Sequence, residues 1–325
     1  MEKRLAIGID VGATNVRMLL GDEAGHVLAR RSEKTEKNKG PENISNQLIG
    51  MVRSLQDEYP KAKKIVSIGI GSAGPLDLKK GGLMKPTNMP YDFVPLVKPI
   101  EDAFRLPTYL LNDCAAGVMG EKYFGAGKEH ENIVYVTIST GIGGGVYVDN
   151  HLLTGKDGNA HEIGHFTIDS MGYLQCGCGK RGHWEAYCSG SGIPNFVKVL
   201  LQQKGYRGLK KSLLYKAVNE DLDKLTAKVL YDAAKAGDPL SVKLTIGIGH
   251  LNAIGFACVI DAYDPSLITI GGAVALNNAN LVIDPIKRYV QDHARNRLPE
   301  ISLTPLGEYV VAHGALSMAF QSEKT

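Results

Sequence analysis

Residues 160–185 read AHEIGHFTIDSMGYLQCGCGKRGHWE. This stretch contains two imidazoles and two thiols, at His165, Cys176, Cys178 and His183. Four nitrogen and sulfur ligands suit a tetrahedral zinc ion, and the glycines at 177, 179 and 182 let the backbone bring both ends of the loop to one ion. The alternatives are a strained disulfide between the two neighbouring cysteines or two unrelated buried thiols. The ligand spacing favours a structural zinc site.

Two carboxylates, Glu162 and Glu185, stand just outside these ligands. A zinc ion would fix the loop and hold both carboxylates in place. Pairs of rigid acceptors bind neighbouring hydroxyl groups well. The stretch therefore predicts a polar ligand that carries several hydroxyl groups.

The composition indicates a globular protein in a reducing compartment. The chain has 325 residues, enough for two domains, with 44% apolar and 22% charged residues. A net charge of +3 is too small to indicate nucleic acid or a membrane as a partner. No apolar run approaches the roughly 20 residues that span a bilayer, and the N-terminal MEKRLAIGID lacks the apolar region of a signal peptide. Because the five cysteines have no framework spacing, we predict a cytoplasmic location.

The N-terminal segment predicts a strand, a tight turn and a second strand. An apolar run over residues 5–10 ends in Asp10, residues 11–15 form the turn, and a second alternating run covers residues 16–20. Backbone N–H groups and small polar side chains beside a carboxylate suit a phosphate and a hydrated metal ion. The alternative is a plain hairpin turn with an exposed aspartate.

The same pattern returns in the middle of the chain. A strand over residues 133–139 is followed by a Thr/Gly turn at 140–145 and a second strand at 146–148. This copy predicts a duplicated architecture in which each half places a phosphate-holding turn at a shared cleft. It is neither a P-loop nor a dinucleotide fingerprint, because no Gly-Lys-Ser/Thr follows and the next element is a strand. A third strand-to-glycine turn, at residues 271–274, offers backbone on which a flat ring can lie.

Two further strand ends carry polar residues. A strand over residues 108–111 stops at Asn112 and Asp113 before an Ala/Gly-rich helix, so Asp113 either points into a crevice above the sheet or caps the helix. An earlier apolar strand passes into a glycine-rich turn that includes Gly74, where a ligand can approach the backbone. In the loop that follows, Asn88 offers a donor and an acceptor to a hydroxyl group or forms an Asx turn.

Apolar residues at helical spacing predict further helices. These cover residues 41–59, 213–217, 226–237, 239–256 and 314–321, with another helix that begins near Pro285.

Taken with these motifs, the sequence resembles the ROK group of sugar kinases, repressors and related proteins, within the actin/hexokinase-like ATPase superfamily. The resemblance covers essentially the whole chain, and its most distinctive part is Glu162-Ile163-Gly164-His165 with Cys176-Gly177-Cys178-Gly179 and Trp184-Glu185. It implies an α/β fold of two duplicated actin-like (ribonuclease H-like) domains with a cleft between them. The expected domains are a small one over residues 1–111, completed by the C-terminal helix 306–325, and a larger one over 112–305 that carries the zinc-containing sugar-binding loop.

The resemblance also implies a role for each motif. Asp113 is the catalytic base, and the sugar contacts are Asn112, Asp113, Glu162, His165 and Glu185, to which the glycine-rich turn and the following loop add Gly74 and Asn88. The first phosphate motif comprises Asp10, Gly12, Thr14 and Asn15. The second comprises Thr140, Gly141 and Gly143, and the adenosine motif comprises Gly271, Gly272 and Ala273.

The chain departs from the family pattern at two positions. His183 stands where family members usually carry a third cysteine, and imidazole is an acceptable zinc ligand. His161 stands where glycine is common, next to Glu162, where it can change the shape of the sugar pocket.

The activity implied by the resemblance is ATP-dependent phosphorylation of a hexose, foremost glucose, at its 6-hydroxyl, with Asp113 accepting the hydroxyl proton. Mg²⁺, reached from Asp10 through water, would offset the charge on the transferred group. A zinc ion with four protein ligands would be structural, because it has no open position for chemistry. Hexose and ATP are then the small-molecule partners, and the family suggests a homodimer.

Three other functions are compatible with parts of this pattern. An N-acetylmannosamine kinase uses the same motifs and differs beside the sugar's 2-substituent, near Asn88 and His161, so the sequence leaves this choice open. A sugar-responsive repressor is disfavoured because only residues 1–4 precede the first strand. A sugar-binding protein without catalysis is disfavoured because Asp10, Asp113 and both phosphate turns are present.

Overall fold

The structure is a computed structural model that describes residues 3–37, 40–86, 89–156, 158–204 and 208–321. Its strands are β1 Leu5–Val11, β2 Asn15–Asp22, β3 Val27–Lys34, β4 Ile65–Ser72, β5 Leu76–Asp77, β6 Gly82–Met84, β7 Phe93–Pro95, β8 Thr108–Asn112, β9 Ile133–Ile138, β10 Ile142–Val148, β11 His151–Leu152, β12 Leu267–Gly271 and β13 Glu300–Leu303. Its α-helices are α1 Asn43–Glu58, α2 Val97–Phe104, α3 Asp113–Phe124, α4 Glu185–Cys188, α5 Gly192–Lys204, α6 Leu213–Ala217, α7 Ala227–Lys235, α8 Pro239–Tyr263, α9 Ala273–Asn277, α10 Ala279–Tyr289 and α11 Val310–Gln321.

The first sheet has five strands in the order β3-β2-β1-β4-β8. Strands β1, β2 and β3 form an antiparallel meander, while β4 and β8 run parallel to β1. All residues of β1 are buried, which explains its nearly continuous apolar sequence. The predicted strand, turn and strand at the N-terminus are confirmed.

The second sheet has the order β11-β10-β9-β12-β13. Its outer pairs repeat those of the first sheet, since β10 and β11 are antiparallel and β12 and β13 are parallel. Strands β9 and β10 therefore take the places that β1 and β2 have in the first sheet. The predicted duplication is confirmed at the level of sheet order.

The chain divides into two compact units. The first comprises residues 1–133, 145–160 and 304–325, and the second comprises 134–144 and 161–303. The first unit extends past residue 111, the expected end of the small domain, and includes α3. This helix packs against α11 so closely that a Cβ on Gly314 would lie 1.6 Å from the Ala116 carbonyl oxygen.

Two layers of helix cover the central strands of the first sheet. Side chains alternate across a strand, so Ile7 and Ile9 of β1 share one apolar cluster with α1, while Ala6 shares another with α11. On the α11 side the contact depends on glycine. A Cβ on Gly8 would lie 2.1 Å from the Ala312 carbonyl oxygen, which would push the helix off the sheet.

Helix α8 is the long apolar helix of the second unit. Its length and composition would allow it to cross a bilayer, but 61% of its most apolar window is buried inside the fold. It begins with Asp238, whose carboxylate accepts a hydrogen bond from the Ser241 N–H at 3.0 Å, and with Pro239 in the first turn. It behaves as a core helix and ends at Tyr263, seven residues beyond the predicted end at residue 256.

Several predicted boundaries are wrong. The second turn is shorter than predicted, because β10 begins at Ile142 and Gly143 lies inside the strand. The helix expected to begin near Pro285 starts at Ala279, with the proline inside α10. Tertiary packing accounts for this, since the proline ring fills the space left by Gly249 of α8, where a Cβ would lie 2.2 Å from the Pro285 Cβ.

Candidate active site

Asp10 lies near the end of β1 with 7% of its surface exposed. Its Oδ2 atom is 3.4 Å from Nη1 of Arg17, the residue of β2 that pairs with Asp10 in the sheet. Nε of Arg17 also donates to Glu308 at 3.1 Å, so two carboxylates share this guanidinium. Burial and, second, the charge of Asp113 raise the pKa of Asp10 to about 7 against the opposing effect of Arg17. Because a nearby cation favours the ionised form, Asp10 fits a place beside hydrated Mg²⁺.

The first turn, residues 12–15, is closed and braced by backbone carbonyls. The Gly12 N–H donates to the Asn15 carbonyl oxygen at 3.1 Å. Thr35, which follows β3, donates from its hydroxyl to the Gly12 carbonyl at 2.7 Å and from its N–H to the Thr14 carbonyl at 2.9 Å. The side chain of Thr14 remains exposed. The turn is thus held in place while this predicted phosphate ligand stays accessible.

Asn112 and Asp113 stand at the junction of β8 and α3. Asn112 is the N-cap, because its Oδ1 accepts from the N–H groups of Cys114 at 2.9 Å and Ala115 at 3.2 Å. The N-cap of α3 is therefore Asn112 and not Asp113. Asp113 Oδ1 also accepts from the Cys114 N–H, at 2.8 Å, and the Asp113 charge acts on Asp10. The junction brings two predicted functional carboxylates of the first unit within electrostatic range.

Gly74 lies beside Asn112, since a Cβ on this glycine would be 3.9 Å from the Asn112 Nδ2. A small cavity in the first unit runs along the first turn and the turn after β4, and its lining includes Gly12, Lys37 and Gly74. The fold therefore gathers predicted phosphate and sugar contacts that are far apart in sequence. Asn88, the remaining predicted sugar contact of this unit, lies outside the described residues.

The four predicted zinc ligands converge in the second unit. One ligand atom from each of them lies within 4.8 Å of the others: His165, Cys176, Cys178 and His183. Nδ1 of His165 is 3.8 Å from the Cys176 sulfur, and Nδ1 of His183 is 3.3 Å from the Cys178 sulfur. Both thiols are free, so the alternative disulfide is not formed. Burial raises the pKa of the Cys176 thiol to about 11, and a bound cation would reverse this effect. Two sulfurs and two nitrogens at these separations fit one tetrahedral zinc ion.

A short hairpin brings these ligands together. The Cys176 N–H donates to the Lys180 carbonyl at 2.8 Å, and the Gly182 N–H donates to the Leu174 carbonyl at 3.0 Å. Gly179 and Gly182 have φ angles of 86° and 77°, which glycine adopts without strain. Two of the three glycines in the loop thus make the tight turn that the sequence predicted.

Glu162 and His165 lie at the two ends of a single 3₁₀ turn. Oε2 of Glu162 is 3.6 Å from Nε2 of His165, and the Glu162 side chain is 57% exposed. The two ring nitrogens of His165 therefore have different neighbours, with Nδ1 towards the Cys176 thiol and Nε2 towards the carboxylate. This arrangement allows one imidazole to hold a metal on one side and to contact a polar ligand on the other.

Glu185 opens α4 and contacts the second turn, residues 139–142. Its Oε2 accepts from the Ile142 N–H at 2.9 Å, and its Oε1 lies 3.6 Å from the Cys176 sulfur. A Cβ on Gly141 would lie only 2.4 Å from the same Oε2, so the carboxylate occupies the space of a side chain at this glycine. A predicted sugar contact therefore touches both a candidate metal ligand, Cys176, and the predicted second phosphate turn.

The third glycine turn joins β12 to α9. Gly272 has a φ of 85°, and a Cβ there would lie 2.5 Å from the Ile138 carbonyl oxygen. A Cβ on Gly271 would lie 2.4 Å from the Tyr135 hydroxyl oxygen. Packing against β9 accounts for both glycines, and the adenosine contact assigned to them and to Ala273 stays a prediction.

Three supporting residues carried no sequence signal of their role. Arg17 lies in an ordinary alternating strand, and Thr35 follows one. Ser191 donates from its N–H and its hydroxyl to the Thr140 carbonyl, at 3.1 Å and 2.7 Å. Strand register and loop packing, rather than any motif, identify these residues.

Comparison of the whole chain with known proteins finds similarity to sugar kinases. The sequence model of the ROK family matches residues 6–322. The glucokinase of Pyrobaculum calidifontis is 36% identical over 321 residues, which cover 98% of this chain and 96% of that protein.

Two solved structures share the fold over nearly the whole length. The ROK hexokinase from Thermus thermophilus has a TM-score of 0.79 at 27% identity, covering 98% of this chain and 99% of its own. A ROK family glucokinase from Streptomyces griseus, in complex with glucose and AMPPNP, has a TM-score of 0.77 at 28% identity. The match covers 98% of this chain and 99% of that protein. The predicted α/β fold of the actin-like ATPases is confirmed.

Proposed function

This chain belongs to the ROK family, and we propose from this premise that it transfers the terminal phosphoryl group of ATP to the 6-hydroxyl of glucose or a closely related hexose. It is an ATP-dependent sugar kinase of the glucokinase type. The family match and the similarity to a glucokinase both extend over nearly the full chain, which supports a shared activity rather than a shared module.

The observation that carries the proposal is the setting of Asp113. Asn112 caps α3, so Asp113 is not needed for that task, and the Cys114 N–H orients its carboxylate. As general base, Asp113 accepts the proton of the sugar 6-hydroxyl. The hydroxyl oxygen forms its bond to the γ-phosphorus while the bond from that phosphorus to the ADP oxygen breaks.

The glycine turns have separate tasks in this proposal. Phosphate groups are held by the first turn with Gly12, Thr14 and Asn15, and by the second with Thr140, Gly141 and Gly143, while the adenosine lies on Gly271, Gly272 and Ala273. Asp10 would hold Mg²⁺ through water, and the ion would supply positive charge to offset that of the phosphates. The fixed backbone of the first turn and the burial of Asp10 support these assignments.

The sugar contacts of this proposal are those that the resemblance assigns. The assigned contacts are Gly74, Asn88, Asn112, Asp113, Glu162, His165 and Glu185. A zinc ion held by His165, Cys176, Cys178 and His183 would have no open position, so its role is to fix the loop that carries the two glutamates. A cytoplasmic homodimer that feeds hexose phosphate into glycolysis completes the proposal and rests on the family resemblance.

The test is ADP release from Mg·ATP with glucose, mannose, glucosamine and N-acetylmannosamine as acceptors. We expect turnover with glucose that falls by roughly 10²- to 10⁴-fold in Asp113→Asn, the usual contribution of a general base. Asp102→Asn is the matched control, because Asp102 forms an exposed ion pair with Lys98 on α2. The ranking of sugars decides between glucose and N-acetylmannosamine. A folded, zinc-loaded protein without sugar-dependent ADP release would overturn the proposal.

A further inference from the structure

The second turn is closed by a hydrogen bond from the Ser139 N–H to the Gly141 carbonyl at 2.9 Å and is braced from outside by a short segment, residues 185–191. The contacts run from the Ile142 N–H to Glu185 Oε2 at 2.9 Å, from the Gly190 N–H to the Ser139 carbonyl at 2.7 Å, and from Ser191 to the Thr140 carbonyl. The segment begins with Glu185, which is also an assigned sugar contact. Whatever moves this carboxylate therefore acts on the turn assigned to the phosphates.

Among these contacts, the one from Glu185 combines a carboxylate acceptor with a rotatable side chain. Hydrogen bonds to carboxylates are stronger than those between neutral groups. Glu185 is partly exposed, so its carboxylate can turn towards water or stay on the Ile142 N–H. Gly141 leaves the space that the second orientation needs, since a Cβ there would lie 2.4 Å from Oε2.

We propose that Glu185 is a positioning residue that couples hexose binding to the second phosphate turn, an inference that rests on the proposed function. A sugar hydroxyl that donates to Oε1 restrains rotation of the carboxylate and keeps Oε2 on the Ile142 N–H. The turn is then held in one conformation before the nucleotide binds. Because coupling is reciprocal, nucleotide binding raises the affinity for hexose by the same factor.

Glu162 provides an internal comparison. It carries the same charge and is also assigned to the sugar, but its carboxylate lies 3.6 Å from His165, on the zinc ligand side of the site. A change at Glu162 should therefore weaken sugar binding and leave the link to the second turn intact. Substitutions at Glu162 and Glu185 therefore distinguish an effect on hexose affinity from an effect on the coupling between hexose and nucleotide.

The experiment measures the Kd of AMPPNP with Mg²⁺ by calorimetry, without glucose and at saturating glucose. In the unmodified protein we expect glucose to tighten nucleotide binding on the order of 10-fold, a typical coupling between sites. Glu185→Asp keeps the charge but is one methylene shorter, so it cannot reach the sugar and Ile142 together, and the ratio should fall below about twofold. Glu162→Asp, the matched control, should need more glucose for saturation and keep the full ratio.

A second variant acts from the side of the turn. Gly141→Ala places a methyl group against Oε2 and turns the Glu185 carboxylate away without substituting any assigned sugar contact. Because Gly141 is itself an assigned phosphate contact, the comparison uses the ratio of the two Kd values and not the absolute affinity for AMPPNP. The tightening of AMPPNP binding by glucose should be lost in this variant too. If Glu185→Asp no longer binds glucose, Gly141→Ala becomes the test of the coupling.

The coupling is overturned if the unmodified protein binds both ligands independently, if Gly141→Ala keeps the full ratio, or if both glutamate variants lose it equally. In each of these cases hexose-dependent ADP release by the unmodified protein persists. Loss of that activity in the unmodified protein would instead contradict the proposed function, so the two failures are distinguishable.

Discussion

The two turns predicted to hold phosphate share a strand-turn-strand pattern, and the second, like the first, is closed by a backbone hydrogen bond, here from the Ser139 N–H to the Gly141 carbonyl at 2.9 Å. They differ in what braces them from outside the turn. The first closes on itself through Gly12 and Asn15 and is braced by the neutral hydroxyl of Thr35. The second is braced by residues 185–191 and by the carboxylate of Glu185. Duplication of a strand-turn-strand element thus preserved the backbone pattern but not the support.

This difference separates two kinds of control. A turn held by local neutral contacts keeps its conformation whatever occupies the sugar loop. A turn held by a side chain of that loop responds to it. In the first unit the carboxylate near the turn belongs to the sheet itself. Asp10 is buried on β1 beside Arg17, and the charge of Asp113 acts on it.

Metal removal should have the largest effect on activity among these tests, and it should act on the second turn through the loop that carries Glu185. Without the ion, the hairpin that carries the metal ligands and precedes Glu185 loses its cross-link, and misplacement of a binding group by about 1 Å can cost on the order of 100-fold. We expect a loss of this size in kcat/KM for the hexose after chelation, with recovery on adding Zn²⁺. Cys176→Ser should behave like the chelated protein and Cys258→Ser, a free cysteine elsewhere, like the wild type. Unchanged kinetics in protein shown to be metal-free would contradict the structural role.

Asp10→Asn tests the charge buried in the first unit. The pKa of Asp10 rises from 3.8 to about 7, so the folded protein keeps a proton that the unfolded chain releases between these values. Wild-type stability therefore falls as pH rises from about 4 to about 7, by up to roughly 4 kcal/mol. Because asparagine stays neutral, Asp10→Asn should gain stability over wild type at pH 8 and lose this advantage near pH 4.

Urea unfolding at several pH values, without Mg²⁺ and nucleotide, measures this gain. Asp113→Asn in the same background removes the second cause of the raised pKa and should make the gain smaller. An Asp10→Asn effect of equal size at pH 4 and pH 8 would show that the buried charge is not its origin.

A pair of glycine substitutions compares the turns directly. In Gly12→Ala the new methyl group meets the Asn15 carbonyl oxygen at 2.8 Å, and this backbone atom cannot move without opening the turn. In Gly141→Ala the new methyl group meets the carboxylate of Glu185, at the end of a side chain that can rotate. We expect losses in unfolding free energy of about 1–3 kcal/mol for the first and less for the second. A larger loss of unfolding free energy in Gly141→Ala than in Gly12→Ala would mean that the Glu185 carboxylate cannot rotate away from the new methyl group.

Removal of the bracing hydroxyls should have the smallest effect. Thr35→Val removes one hydrogen bond to the Gly12 carbonyl, at an expected cost of about 1 kcal/mol. Ser191→Ala should cost less, because the Ser191 N–H still donates to the Thr140 carbonyl at 3.1 Å. Chemical denaturation of both variants gives the comparison, and a larger loss at Ser191 would contradict it.

Local patterns predicted the elements whose causes are local. The strand predicted at residues 5–10 is apolar up to its final Asp10, and α6 has the predicted bounds, Leu213–Ala217. Strands β5, β6 and β7 were missed because they have two or three residues each and no alternation to detect. The start of α10 was misplaced because a packing contact with α8 overrides the usual preference of proline for a helix start.

The sequence by itself determined the duplicated strand-turn-strand pattern, the first turn and the set of four candidate metal ligands, because each depends on residue types at short spacing. Only the tertiary structure decided that burial and the charge of Asp113 raise the pKa of Asp10 against the effect of Arg17. It also decided that Asn112 rather than Asp113 caps α3, and that Glu185 contacts the second turn. The last contact joins residues 43 positions apart. Such pairings follow from how the chain packs, and neither periodicity nor spacing records them.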